Sequence, residues 1–314
     1  MVKRILLVQP IWLFVIACFV VFSISAEHFF DADNFRNILM QASTIGLIAL
    51  GMTFVMINGN IDLSVGSVVA LSASLAVGLQ DSIGVPVAVI CALASGVLLG
   101  VFNGVITWKT GVDAFIVTLG AMIGIRGLVF LYTQEQSFYA SDFAYSDFGF
   151  STVFTIPTLA IIFIVCAIVM HFVLNQTVHG RNTYAVGGNR EAAVNAGIRV
   201  GPHMVYNFMI VGFFAALAGV TLSTQMGAST PNLGRDFELW TITAVVLGGT
   251  RLTGGAGNII GTVGGVIAIS ILRNGMNLLQ VPSFYVLVIM GSILITVLYI
   301  DKRLTTTGKL ELQL

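Results

Sequence analysis

In a chain of 314 residues with only 9% charged side chains, every polar residue inside an apolar run needs a reason. Burying it costs free energy that a partner or a wet cavity must offset. Asp62 follows Asn58-Gly59-Asn60-Ile61, and Ser64 stands two residues later. A carboxylate there either caps the next helix, accepting from the N–H of Ser64 or Val65, or touches a solute directly. Asp113, just before Ala114, reads the same way. Arg126 and Arg273 each fall in an apolar stretch, which demands a pairing partner or a water-lined passage. Asn58, Asn60, Asn103, Asn274 and Asn277 carry amides that can hydrogen-bond a polar solute or hold helices together. No Ser/His, His/Glu or paired-Asp set falls at membrane depth, and no phosphate-binding loop is present. His28, His171, His179 and His203 are scattered without metal spacing, and Cys18, Cys91 and Cys166 lie in apolar runs as small hydrophobes. No catalytic residue and no metal site are therefore expected.

The elements that must position these groups are membrane spans. Hydrophobic residues make up 57% of the chain and its mean hydropathy is +0.97, far from the composition of a soluble domain. Zero formal net charge and the lack of a basic run exclude nucleic acid as a partner. Lys3 and Arg4 precede Ile5–Ile24, which is long for a signal peptide and reads as an uncleaved span. The aromatics of 27–37 suit an interfacial segment. Spans are then expected at Ile38–Ile57, Leu63–Leu79, Val85–Trp108, Ala114–Thr133, Thr152–Leu174, Met204–Gln225, Leu239–Gly249, Ile259–Leu279 and Tyr285–Ile300. The expected fold is thus an all-α polytopic membrane protein of about ten transmembrane helices, with broken or re-entrant segments near Asn58–Ser67 and Gly248–Asn258. The likeness of the two breaks hints at an internal repeat, parallel or inverted. The stripes Gly261, Gly264, Gly265 and Gly120, Gly124, Gly127 suit close helix packing.

Charge placement orients the spans. With both termini inside, Lys3, Arg4, Lys109, Arg181, Arg190, Arg199, Arg251, Lys302, Arg303 and Lys309 fall on the cytoplasmic side. Arg36 and Arg235 fall outside, with carboxylates that include Asp236 and Glu238. The polar stretch Gly180–Ile198 is then cytoplasmic. Gly187 and Gly188 supply a turn, Asn189 caps a short helix, and Glu191 sits in its first turn, where the dipole favours an anion. Arg190, Ala192, Ala193 and Ala196 continue it, and Gly197 ends it. A smooth helix of this kind suits docking into another protein.

This stretch resembles the coupling-helix region of permeases in the ribose-type bacterial ATP-binding-cassette importers. Gly180, Arg181, Tyr184, Ala185, Gly187, Gly188, Asn189, Ala192, Ala193, Gly197 and Ile198 carry the likeness. Two more motifs agree: Asn58-Gly59-Asn60-Ile61-Asp62-Leu63-Ser64-Val65-Gly66-Ser67, and Ala244–Thr250 running into Leu252-Thr253-Gly254-Gly255-Ala256-Gly257. The likeness runs from about Phe35 to Arg303. It implies a single transmembrane permease domain over 1–314 with a cytoplasmic coupling loop at 175–203, in the bacterial inner membrane. Its implied partners are an ATP-binding-cassette ATPase, a soluble substrate-binding protein, a second permease copy (identical or paralogous) and the lipid bilayer. ATP and magnesium belong to the ATPase, and this chain binds no cofactor. The implied solute is a monosaccharide or related polyol, whose hydroxyls suit the asparagines above. Relatives that carry a nucleoside, an amino acid or a furanosyl signalling molecule are the alternative, and an ion-coupled secondary transporter is the rival from another class. The aromatic, acidic stretch Gln134–Ser151 suits binding-protein docking or interfacial anchoring.

Overall fold

The computed structural model describes residues 10–311, with side chains over 11–299. Lys3 and Arg4 lie outside the described residues. The fold is all-α and polytopic, with 14 described helices. In chain order these are α1 Pro10–Ser25, α2 Ala32–Ile57, α3 Val65–Gly78, α4 Gln80–Ile83, α5 Val85–Thr110, α6 Ala114–Thr133, α7 Phe143–Phe150, α8 Thr158–Gln176, α9 Val178–Gly188, α10 Arg190–Asn195, α11 Val200–Met226, α12 Phe237–Leu247, α13 Ile259–Leu278 and α14 Ser283–Glu311. Strand β1 (Phe138–Tyr139) pairs antiparallel with β4 (Ala228–Ser229), and β2 (Thr152–Val153) with β3 (Ile156–Pro157).

Among the described residues, six helices are long and apolar enough to cross a membrane: α2, α5, α6, α8, α11 and α13. Helix α2 is the hub, 89% buried over its apolar window, whereas α5 and α6 are 22% buried. The less buried spans α5, α6 and α8 are also the more hydropathic. A water-soluble bundle shows the opposite trend, so the apolar surface of this bundle faces lipid. Helix α11 packs on α2, α3 and α5. Its contact with α5 is close because Gly96, Gly100 and Gly104 abut Phe208, Gly212 and Val205 backbone or Cβ atoms.

Helix boundaries follow from local chemistry. Asp113 Oδ1 accepts from the N–H of Phe115 at 2.8 Å, and Asn258 Oδ1 from that of Gly261 at 2.7 Å, caps of about 1 kcal/mol each. Helix α5 ends at Gly111 in the left-handed region. Three features differ from what the sequence predicts. The expected span Thr152–Leu174 begins only at Thr158, because 152–157 turn back as the β2–β3 hairpin. Gly187 and Gly188 form no turn, since they close the eleven-residue helix α9. The glycine stripes also part ways: Gly265 backs onto Ala244 without room for a Cβ, while Gly120, Gly124 and Gly127 border open space. Phe29, Phe30 and Phe35 of the segment 27–37 pack edge-on and stacked around Phe19.

Candidate functional site

Three stretches far apart in sequence meet at one end of the bundle. Helix α2 ends in a tight cap, with Gly59 N–H donating to Met56 O (2.9 Å) and Asn60 N–H to Val55 O (3.0 Å). Helix α12 ends the same way, with Gly249 N–H to Val246 O (2.8 Å) and Thr250 N–H to Val245 O (3.2 Å). Gly59 and Gly249 both adopt positive φ, which glycine does without a Cβ penalty. The C-terminal end of α9 lies between these breaks. Gly255 N–H donates to Ile57 O at 2.8 Å, and a Cβ on Gly187 would collide with that same carbonyl. Gly254 and Gly255 press on the backbones of Gly59, Gly187 and Gly188. Tyr184 Oη donates to Gly257 O at 2.7 Å. Backbone therefore bears on backbone, and a shift of α9 reaches both breaks without flexible side chains between.

Helix α10 follows on the same arm. Asn189 Oδ1 accepts from the N–H of Ala192 at 3.0 Å, and Gly197 closes the helix at φ 82°. The alanine face is not uniform. Ala193 is buried against Val186, Ile198 and Val200 and anchors the helix, whereas Arg190, Glu191, Ala192, Val194, Asn195 and Ala196 are exposed. A cleft of about 510 Å³ opens behind this arm, lined by His179, Asn182, Arg199, His203 and Tyr206 among others. The histidines are not all scattered: the rings of His179 and His203 lie 4.6 Å apart. His179 Nε2 donates to Asn207 Oδ1 at 2.9 Å, and burial holds the His179 pKa below its ordinary value. Their pairing across 24 positions had no sequence signal. No group of three metal-ligating residues occurs among the described residues.

The candidate pathway residues do not form one site. Asp62, 2% exposed, accepts from Ser64 N–H (2.8 Å) and Ser64 Oγ (2.6 Å), and Asn103 Nδ2 donates to Ser64 Oγ at 2.9 Å. Asp62, Ser64 and Asn103 thus make one network at the start of α3, and the capping alternative holds. Asn60 Nδ2 donates to Asn58 Oδ1 at 3.2 Å. Asn274 Nδ2 donates to Asn34 Oδ1 at 2.7 Å, Asn277 is exposed, and the Arg273 guanidinium sits 3.6 Å over the Trp240 ring. Asn274 thus ties α13 to α2 and Arg273 ties it to α12. Arg126 donates to the carbonyls of Pro231 and Leu233, both at 2.8 Å.

That contact ties the chain before α12 to α6, at a point about 10 Å short of the Thr133 end. Helix α12 itself has eleven residues, about 16 Å of rise against a hydrocarbon core of about 30 Å.

On the face carrying β1 and β4, Tyr145 is buried with Oη 2.7 Å from Ser223 Oγ, and its pKa is pushed up to about 12 by burial. Tyr139, Phe143 and Phe150 are exposed there, with Phe154 94% exposed at the tip of the β2–β3 hairpin.

Comparison with known proteins adds the following. Residues 34–298 match the family of the branched-chain amino acid transport system / permease component. The chain is 39% identical to the ribose import permease protein RbsC of Bacillus subtilis (strain 168), over 90% of this chain and 89% of that protein. It is 35% identical to the D-allose transport system permease protein AlsC of Escherichia coli (strain K12), over 90% and 87%. It is 35% identical to the L-arabinose ABC transporter permease protein AraH of Azospirillum brasilense, over 90% and 84%. No solved structure matches.

Proposed function

The chain belongs to the family of the branched-chain amino acid transport system / permease component, and on that premise we propose that it forms the path by which an ATP-driven, binding-protein-dependent importer takes up a monosaccharide or related polyol. It is a bacterial inner-membrane protein and a transporter subunit, not an enzyme. The sugar class rests on relatives named for ribose, D-allose and L-arabinose. The observation that carries the mechanism is the convergence of Gly59, Gly187 and Gly254–Gly255.

The whole chain acts as one permease domain, with ten membrane segments and both termini inside. Among the described residues, six long apolar helices and four shorter ones are in keeping with that number, and the excess of basic residues on one side favours that direction. Two copies, identical or paralogous, enclose the passage. The arm 175–203 is the coupling loop. Gly187, Gly188, Asn189 and Gly197 shape it, Ala193 anchors α10, and Arg190, Glu191, Ala192 and Ala196 meet the ATPase. ATP and magnesium bind to the ATPase. Its closure moves α9 and α10, and the glycine junction passes that displacement to the ends of α2 and α12. The energy comes from the ATPase's different affinity for ATP in the two states of the pair. On the other face, the exposed aromatics around Phe143 and Phe154 meet the binding protein. Within the candidate pathway set, Asp62, Ser64 and Asn103 position α3. Asn58 and Asn60 brace the α2 cap, while Arg273 and Asn274 serve helix contacts and Asn277 stays open to the passage or solvent.

The test is purification of the tagged protein from its native membrane in mild detergent, with ATP hydrolysis assayed in the eluate. An ATPase should accompany the chain, and Glu191→Arg with Val194→Asp, both on the exposed face of α10, should remove it. A chain that purifies alone, with uptake abolished by collapse of ion gradients but not by ATP depletion, overturns the reading in favour of an ion-coupled transporter.

A further inference from the structure

We propose that the turn Asn232–Glu238 lines the passage near the middle of the membrane and binds the polyhydroxyl solute there; the solute class rests on the function proposed above. Strand β4 lies at the membrane surface, paired with Phe138 beyond the end of α6. From Ser229 the chain leaves that surface and descends. Arg126 takes the carbonyls of Pro231 and Leu233, and Gly234 touches the backbone of Gly66. Gly66 precedes Gly78, the surface end of α3, by about 18 Å of helix, so the turn sits roughly at the midplane of a 30 Å core.

Irregular backbone at that depth survives only where protein covers it or where it borders a cavity. Both conditions occur on opposite sides of this turn. Pro231, Leu233 and Gly234 are buried against α3 and α6, while Asn232 and Arg235 are exposed and Asp236 and Glu238 are partly exposed. The side chains of Asn232, Arg235 and Asp236 make no hydrogen bond or ion pair among the described residues. An arginine facing lipid at this depth costs about 2.5–3.5 kcal/mol. The open side therefore faces water.

The groups gathered there suit a sugar. Arg235 and the Asn232 amide donate to hydroxyl oxygens, and Asp236 and Glu238 accept from hydroxyl hydrogens. Phe237, 5.3 Å from Trp240 between ring centres, gives the apolar flank that such sites pair with a few polar groups. Two nearby atoms are buried and unsatisfied: Thr241 Oγ1, one turn along α12 from Glu238, and Asn103 Oδ1. The Glu238 carboxylate rests against Gly66, where any Cβ would strike it. It thereby joins the first turn of α3, which the Asp62–Ser64–Asn103 network braces. Two short helices, α3 and α12, thus begin side by side inside the membrane, the arrangement that broken helices give to solute sites in other transporters.

The test is cysteine accessibility in native membranes that hold the whole transporter. Cys18, Cys91 and Cys166 are first replaced by alanine. A charged, water-soluble thiol reagent should modify Asn232→Cys and Arg235→Cys about tenfold faster than Leu128→Cys, on the lipid-facing side of α6. A saturating mixture of pentoses and hexoses, with ATP and binding protein present, should slow that reaction several-fold. Should Arg235→Cys fail to insert, Asn232→Cys carries the measurement. Modification no faster than at Leu128→Cys overturns the passage assignment. Fast modification that sugars leave unchanged, in membranes that accumulate those sugars, overturns the solute contact. If the parent chain accumulates no sugar, the proposed function fails, while the rates at 232 and 235 still decide whether the turn lines a wet passage.

Discussion

At the glycine junction and at the turn Asn232–Glu238 the chain abandons regular helix, and it handles its backbone in contrasting ways. Around Gly187 the strands of chain approach until no side chain fits between them, and the one shared carbonyl, Ile57 O, is taken by Gly255 N–H at 2.8 Å. The junction carries no charge. The turn instead gathers Arg126, Arg235, Asp236 and Glu238, and among the described residues none of the four is in an ion pair. A closed glycine contact transmits displacement because nothing in it can yield by rotating a side chain. An open charged turn does the reverse, leaving donors and acceptors free for a molecule that comes and goes. On the proposed reading, mechanical and recognition roles are thereby kept in separate breaks of the helical chain.

Substitutions can break this contrast in order of expected effect. Gly187→Val drives a branched side chain into the Ile57 carbonyl, and uptake should fall by more than about tenfold while the ATPase still co-purifies, since α10 keeps its exposed face. Retained uptake would show that the junction transmits nothing. Asp62→Ala removes the acceptor from Ser64 N–H and Oγ in a buried site and should cost roughly 2–3 kcal/mol, read as a lower melting temperature in detergent. Arg126→Met leaves two carbonyls without a donor at membrane depth and should cost about 1–3 kcal/mol. Arg126→Lys should recover only part, because an ammonium lacks the planar fork. Tyr184→Phe deletes a single bond to Gly257 O and should cost about 1 kcal/mol, with a smaller loss of uptake than Gly187→Val. The smallest effect concerns pH. Burial depresses the His179 pKa below 6.5, so the unfolded chain takes up the proton first as pH falls. Stability from this group is present above about pH 6.5 and is lost on acidification, and His179→Gln should flatten that slope.

Much of this was legible beforehand. The long apolar runs placed α2, α5, α6, α11 and α13 within a few residues, because a span must be apolar over its whole length. Asp113, Asn189 and Asn258 mark helix starts with side chains of short reach, so their roles follow from neighbours in sequence. Gly187 and Gly188 misled, since glycine pairs usually signal a turn, whereas here they close α9 and Gly187 lets it approach α2 and Gly255. Arg126 gave no sign of its partners, because the carbonyls of Pro231 and Leu233 lie more than 100 residues away.

By itself the sequence determined the class of protein, its long apolar helices and the capped arm at Asn189–Gly197, since composition and local capping act over a few residues. Only the tertiary structure decided that three glycine-rich motifs form one junction, that Ala193 anchors while Val194 is offered outward, and that Arg126 reaches the carbonyls of Pro231 and Leu233. Those depend on contacts between residues far apart in the chain, and such contacts leave no mark on the order of neighbours.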